Sequence, residues 1–142
     1  MLIKTSLPSV PSLPPIAEWV CTHDPMFVLE DLFSAPDNIP ANRSVKYLYS
    51  NGRSDGVTGS WLYPPGGGQG WHVNTNLSTH RLYLSWSETG DSGMLFLKDG
   101  MVVEDHDEKG WNIRIFDATQ PHAVFARCWR YSVGYQVAGV AV

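Results

Sequence analysis

Arg81-Leu-Tyr-Leu-Ser-Trp86, Gly93-Met-Leu-Phe-Leu97, Met101-Val-Val103 and Trp111-Asn-Ile-Arg-Ile-Phe116 follow one another in the middle of the chain. Each is a short run of apolar, aromatic and β-branched residues, and each ends at Gly, Asp or Ser. This is the signature of strands separated by tight turns. The pattern extends outward in both directions. Upstream lie Val45-Lys-Tyr-Leu-Tyr49, then Ser50-Asn-Gly-Arg53 with its Asn-Gly turn signal. Gly59-Ser-Trp-Leu-Tyr63 and the loop Pro64-Pro-Gly-Gly-Gly-Gln-Gly70 come next. Downstream lie Ala123-Val-Phe125 and Tyr131 to Gln136. Strands about every ten residues, with no alternation of helix and strand, predict an all-β sandwich or barrel over residues 44–142 and exclude a doubly wound fold.

Residues 1–40 differ. Pro8, Pro11, Pro14 and Pro15 deny regular hydrogen bonding there, so an extended arm is expected. Asp24-Pro25 reads as a helix start, with Asp as cap and Pro in the first position. Phe27, Leu29, Leu32 and Phe33 supply its apolar stripe until Pro36. A second short helix is expected over Ile16–Val20. The arm can cover an edge strand of its own domain or of a neighbouring copy, so a homodimer is among the expectations.

The chain has 142 residues, the size of a single domain, and can bury about two-thirds of its unfolded surface. Apolar residues make up 43% and charged residues 17%, a globular balance. A net charge of −4 argues against a partner of duplex nucleic acid. No apolar run is long enough to span a bilayer, and the first residues lack the apolar stretch of a signal peptide. Cys21 and Cys128 follow no metal-binding spacing and read as buried thiols, which fits a cytoplasmic protein. The six Trp and six Tyr read mostly as core filler.

Few residues carry chemistry. His72 and Asn74 are two apart on an extended stretch and share a face. The glycines before them allow close approach of backbone or ligand, but they lack the following helix and Lys-Ser/Thr of a phosphate loop. His122 comes fifty residues later. Arg130 and Ser132 again share one strand face, among Trp129, Tyr131, Val133 and Tyr135. A guanidinium beside a hydroxyl suits a carboxylate ligand, and an internal Asp or Glu is the alternative partner. Arg81 is a rim charge or a substrate contact. Tyr47, Tyr49 and Tyr63 either line the barrel mouth or pack in the core. His106, within Glu104-Asp-His-Asp-Glu108, reads as part of a solvated hairpin tip.

His72-x-Asn74, His122 and Arg130-x-Ser132 together resemble the HxD…H…RxS signature of the iron(II)/2-oxoglutarate-dependent oxygenases. Arg81 to Trp86 resembles that family's strand after HxD, Asp91-Ser-Gly-Met-Leu-Phe96 its Gly-rich turn and strand, and Lys109 to Phe116 the strand leading to the second His. The likeness spans Tyr47 to Val137 and rests on the order and spacing of its motifs. It implies a double-stranded β-helix (a jelly roll, cupin-like). It further implies Fe(II) held by His72, Asn74 and His122, and 2-oxoglutarate held by Arg130 and Ser132 with Tyr49 and Tyr63 nearby. Arg81 would lie toward a substrate of unknown class. Asn74 departs from the family, because a neutral carbonyl oxygen replaces the usual carboxylate and weakens the hold on a hard cation. Two alternatives follow: a non-catalytic binding module with a degenerate metal site, or a cupin-like metalloprotein that uses no 2-oxoglutarate.

Overall fold

The structure is a computed structural model, and it describes residues 2–3, 20–22, 27–37, 39, 45–46, 48–51, 57–73 and 80–136. The described chain is almost entirely strand. In order these are β1 (Leu2–Ile3), β2 (Val20–Thr22), β3 (Val45–Lys46), β4 (Leu48–Asn51), β5 (Val57–Tyr63) and β6 (Gly68–His72). They continue with β7 (His80–Ser87), β8 (Ser92–Lys98), β9 (Met101–His106), β10 (Gly110–Asp117), β11 (His122–Ala126) and β12 (Arg130–Gln136). One sheet has the order β1-β10-β7-β12-β5-β4-β2 and the other β3-β6-β11-β8-β9, with antiparallel pairing throughout. From β5 onward the chain passes repeatedly from one sheet to the other, so residues distant in sequence meet between the sheets.

Turn chemistry fixes the β8–β9 hairpin. Asp99 and Gly100 both have positive φ, 50° and 76°, between the paired residues Lys98 and Met101. A two-residue Asp-Gly loop of this hand matches the twist of the strands that it joins. Gly93 serves a different end: a Cβ there would run into the Asp105 carbonyl of β9, so the two backbones approach as only glycine allows.

The two sheets bury their residues differently. In β6, β8 and β11 nearly every residue is buried, whichever face it points to. One face of this sheet contributes Met94, Phe96, Val124 and Ala126 to a cluster between the sheets with Trp61, Tyr63 and Phe116. The other face packs Trp71, Leu95, Ala123 and Phe125 under Phe27 and Leu32. A sheet covered on both sides explains the continuous apolar runs. Strands β7, β10 and β12 instead alternate, with an unusual phase. Their buried positions are Arg81, Ser85, Ser87, Asn112, Arg114, Phe116, Arg130, Ser132 and Gly134, whereas Leu82, Leu84, Trp86, Ile113, Ile115, Tyr131 and Val133 are half-buried. The inward face of this sheet thus carries its arginines, serines and Asn112 beside Trp61, Tyr63, Tyr83 and Phe116.

Three expectations from the sequence are corrected. The segment after Asp24-Pro25 is a single-turn 3-10 helix, Leu29–Phe33, entered from extended Val28 with no side-chain cap. Five residues before Pro36 are too few to repay α-helix nucleation, and the turn is held by Leu32 packing beneath it and by the Trp71 indole donating to the Leu32 carbonyl at 3.1 Å. Val20 opens β2 opposite Ser50 and ends no helix; residues 16–19 lie outside the described residues. The acidic run 104–108 is solvated only in part and is not a hairpin tip: Glu104, His106 and Glu108 are exposed, but Glu104 to His106 complete β9 and the Asp107 side chain is fully buried. The Pro-rich arm and the Asn-Gly turn lie outside the described residues, although the strands flanking that turn, β4 and β5, do pair. Cys128 is a free, buried thiol, and the Cys21 side chain lies outside the description. Among the described residues no helix is long and apolar enough to cross a membrane.

Candidate functional site

Between the sheets lies a small, partly open cavity. Four of the sequence-predicted site residues, His72, His122, Arg130 and Ser132, line it together, and so does Tyr63. Trp61, Gln69, Tyr83, Met94, Phe116 and Val124 complete the wall.

The histidines meet because of register. His72 ends β6, His122 begins β11, and the two are directly opposed, with ring centroids 4.2 Å apart. The β6–β11 ladder shifts between this pair and the next, Val124 opposite Gln69: three residues of β6 span what two of β11 span. This β-bulge at Gly70 and Trp71 resets the alternation of the strand. Gln69 and His72, three apart, would otherwise face opposite ways; with the bulge both reach the cavity, and Trp71 turns outward to the other cluster.

Each imidazole is fixed by its own backbone. His72 Nδ1 lies 2.7 Å from the Gly70 carbonyl, and His122 Nδ1 lies 2.7 Å from the Gln120 carbonyl. A carbonyl oxygen only accepts, so each Nδ1 carries the proton and donates it. The lone pair of each neutral ring is therefore on Nε2, as in a metal-ligating histidine whose other nitrogen is held by a carbonyl. Two such nitrogen donors suit iron(II) and similar divalent cations. Among the described residues no group of three His, Cys, Asp or Glu side chains converges, and Asn74, the third position of the family pattern, lies outside them.

The opposite end of the cavity is ionic. Arg130 and Ser132 occupy adjacent inward positions of β12, opposite Tyr63 and Trp61 of β5. The Arg130 Nε donates to Asp107 Oδ2 at 2.8 Å, and its Nη2 donates to Ser85 Oγ at 3.1 Å. Its guanidinium carbon lies 5.8 Å from the centre of the Tyr63 ring, and the Tyr63 hydroxyl accepts a hydrogen bond from Gln69 Nε2. Asp107 has a second cationic partner. Arg114 Nη1 donates to Asp107 Oδ1 at 2.5 Å, and Arg114 Nε donates to Asp105 Oδ2 at 3.0 Å. Burial alone would raise the Asp107 pKa, but the charges of Arg130 and Arg114, with hydrogen bonds from Arg130 and Ser92, hold it well below the usual carboxylate range. Burial opposes the charge on Arg130 too, and Asp107 overrides it and raises the Arg130 pKa.

Behind Asp107 runs a directed chain of hydroxyls. Ser92 Oγ donates to Asp107 Oδ2 at 2.6 Å, which commits its one proton. Ser87, 2.7 Å away, must then donate to Ser92, and it accepts from the Gly90 N–H and, at 3.4 Å, from the Cys128 thiol.

The remaining expected site residues lie elsewhere. Arg81 is 2% exposed, opposite Phe116 in β10, and is not one of the cavity-lining residues, so a rim position is not what the fold gives it. Tyr49 lies in β4 opposite Leu62, with its side chain outside the described residues, as are Tyr47 and Asn74. His106 is exposed and paired with Glu104 at 2.9 Å. Sequence reasoning missed Asp107, Arg114 and Gln69. The available signal was the need of a buried Arg130 for an anion. No protein-family model matches the chain, and no curated protein matches it.

Proposed function

We propose that the chain is an iron(II)/2-oxoglutarate-dependent oxygenase with a substrate still to be identified. The observation that carries this reading is the pair His72–His122, opposed across two strands with both Nε2 lone pairs defined, in one cavity with Arg130 and Ser132. The strand order supports it: two antiparallel sheets, β10-β7-β12-β5 against β6-β11-β8-β9, agree with what a double-stranded β-helix would require. His72 and His122 would hold the metal, with Asn74 as a weak third ligand or replaced by another donor. The metal, when bound, supplies oxygen activation and orientation of the 2-oxo acid. Arg130 and Ser132 bind and orient the far carboxylate of the cosubstrate, with the Tyr63–Gln69 pair beside them. Trp61, Tyr83, Met94 and Phe116 form apolar walls that exclude water from the reacting end.

A second reading is a carboxylate-binding module without oxidation, favoured by the neutral residue at position 74. Thermal melting under anaerobic conditions separates the two. Fe(II) or Mn(II) together with 2-oxoglutarate is expected to raise the midpoint by several degrees, since a ligand at a hundred times its dissociation constant adds about 2.7 kcal/mol. Stabilisation by 2-oxoglutarate with no response to metal would leave the binding module. The absence of any shift with either would remove both. Asn74→Asp is expected to tighten metal binding.

A further inference from the structure

Arg130 is the only member of its ionic cluster that lines the cavity; Asp107, Arg114 and Asp105 stand behind it. Their contacts form a line of alternating sign: Asp105 to Arg114 at 3.0 Å, Arg114 to Asp107 at 2.5 Å, and Asp107 to Arg130 at 2.8 Å. The Arg114 and Asp107 side chains are fully buried and that of Arg130 is 2% exposed, whereas Asp105 is 22% exposed on the edge strand β9. The line is thus neutral in total but oriented, with its positive end at the cavity and its negative end near the surface.

We propose that this chain of charges sets the carboxylate affinity of the cavity from outside it, and that Asp105 holds the affinity down. The inference rests on Arg130 being the carboxylate anchor of the function proposed above. If Asp107 served Arg130 alone, the pair would cancel and attract an anion weakly. Arg114 shares Asp107 through its other carboxylate oxygen, so Arg130 keeps part of its charge for the cavity. Asp105 counters that sharing by engaging Arg114 through both its carboxylate and its backbone carbonyl, the latter at 2.7 Å. No described residue hydrogen-bonds Arg130 Nη1, which leaves that nitrogen's donors for a ligand. Charges separated by low-dielectric protein act on one another over such distances with less screening than in water. Asp105 and Arg114 are therefore positioning residues for the electrostatics of the site, without touching its occupant.

The test uses Asp105→Asn, which removes the far charge and keeps an oxygen that can accept from Arg114. Succinate and 2-oxoglutarate are titrated calorimetrically into the full chain, with and without Mn(II), at low and at physiological salt; neutral succinamide is the control. Asp105→Asn is expected to bind both dicarboxylates roughly two- to tenfold more tightly at low salt, with a smaller gain at higher salt and no change for succinamide. A gain in affinity is a result that structural damage does not produce. Glu104→Gln makes the same change of net charge on the same strand, at an exposed side chain paired with His106, and is expected to leave affinity unchanged. Wild-type binding with no gain in Asp105→Asn, or an equal gain in Glu104→Gln, overturns the charge chain and leaves the proposed function standing. Failure of the wild type to bind either dicarboxylate under any condition removes the Arg130 anchor and this inference with it.

Discussion

The two ends of the cavity are built on opposite principles. At one end, His72 and His122 are each oriented by a carbonyl two residues earlier in their own chain. At the other, Arg130 is oriented by Asp107 and Ser85, 23 and 45 residues away in sequence. The histidine end depends on local backbone and strand register. The arginine end depends on charged and hydroxylated side chains gathered from β7, β8, β9, β10 and β12 and from the loop residue Asp107. A backbone-held site tolerates substitution around it; a side-chain-held site does not.

The largest effect expected from this difference is at Asp107. Asp107→Ala leaves two buried guanidiniums without their shared carboxylate, and loss of about 3–5 kcal/mol is expected in urea unfolding. A loss below about 1 kcal/mol would mean that the ionic end is no more demanding than the histidine end. Arg130→Met should cost less, because Asp107 keeps Arg114 and Ser92; it should abolish dicarboxylate binding and spare metal binding.

Acid exposes the same asymmetry. The folded Asp107 pKa lies below its unfolded value, so this carboxylate stabilises the fold fully above the unfolded value and progressively less as pH falls below about 5. Wild-type stability should therefore decline through the acid range more steeply than that of Asp107→Asn, as measured by unfolding midpoints at stepped pH. Equal slopes would assign the acid sensitivity to other carboxylates.

Smaller effects are expected at the histidines. His72→Ala and His122→Ala each lose one backbone hydrogen bond and some packing, about 1 kcal/mol apiece, and both should lose metal-dependent stabilisation. The smallest belongs to the exposed pair of Glu104 and His106, where Glu104→Gln should change stability by no more than about 0.5 kcal/mol.

How much of this was legible from the sequence follows from the same contrast. The strand pattern, the two histidines and the parity of Arg130 and Ser132 could be read because strands alternate with period two and local motifs are contiguous. Asp107 could not, because its surroundings, Glu104-Asp-His-Asp-Glu108, have the composition of a solvated turn, and only the register of β8, β10 and β12 brings it under two arginines. Arg114 was hidden by inversion. In Trp111-Asn-Ile-Arg-Ile-Phe116 the isoleucines suggest the inward face, yet Asn112 and Arg114 are buried with Phe116, and Ile113 and Ile115 are half-buried. Alternation reveals two faces and does not say which of them the core takes. The 3-10 turn at Leu29–Phe33 was read as a helix because its apolar spacing fits one, while its length is set by tertiary packing on Trp71.

The bulge in β6 makes the site addressable by length as well as by chemistry. Gln69 and His72 face the cavity together because one extra residue sits between them. Deleting Gly70 would restore regular pairing and leave the two positions two apart, still on one face, so His72 would stay at the cavity. Deleting both Gly70 and Trp71 would instead make the two positions adjacent and turn one of them to the outer face, with no ligand mutated. In comparing related chains, the spacing between these two positions would report on the site as directly as the histidine itself.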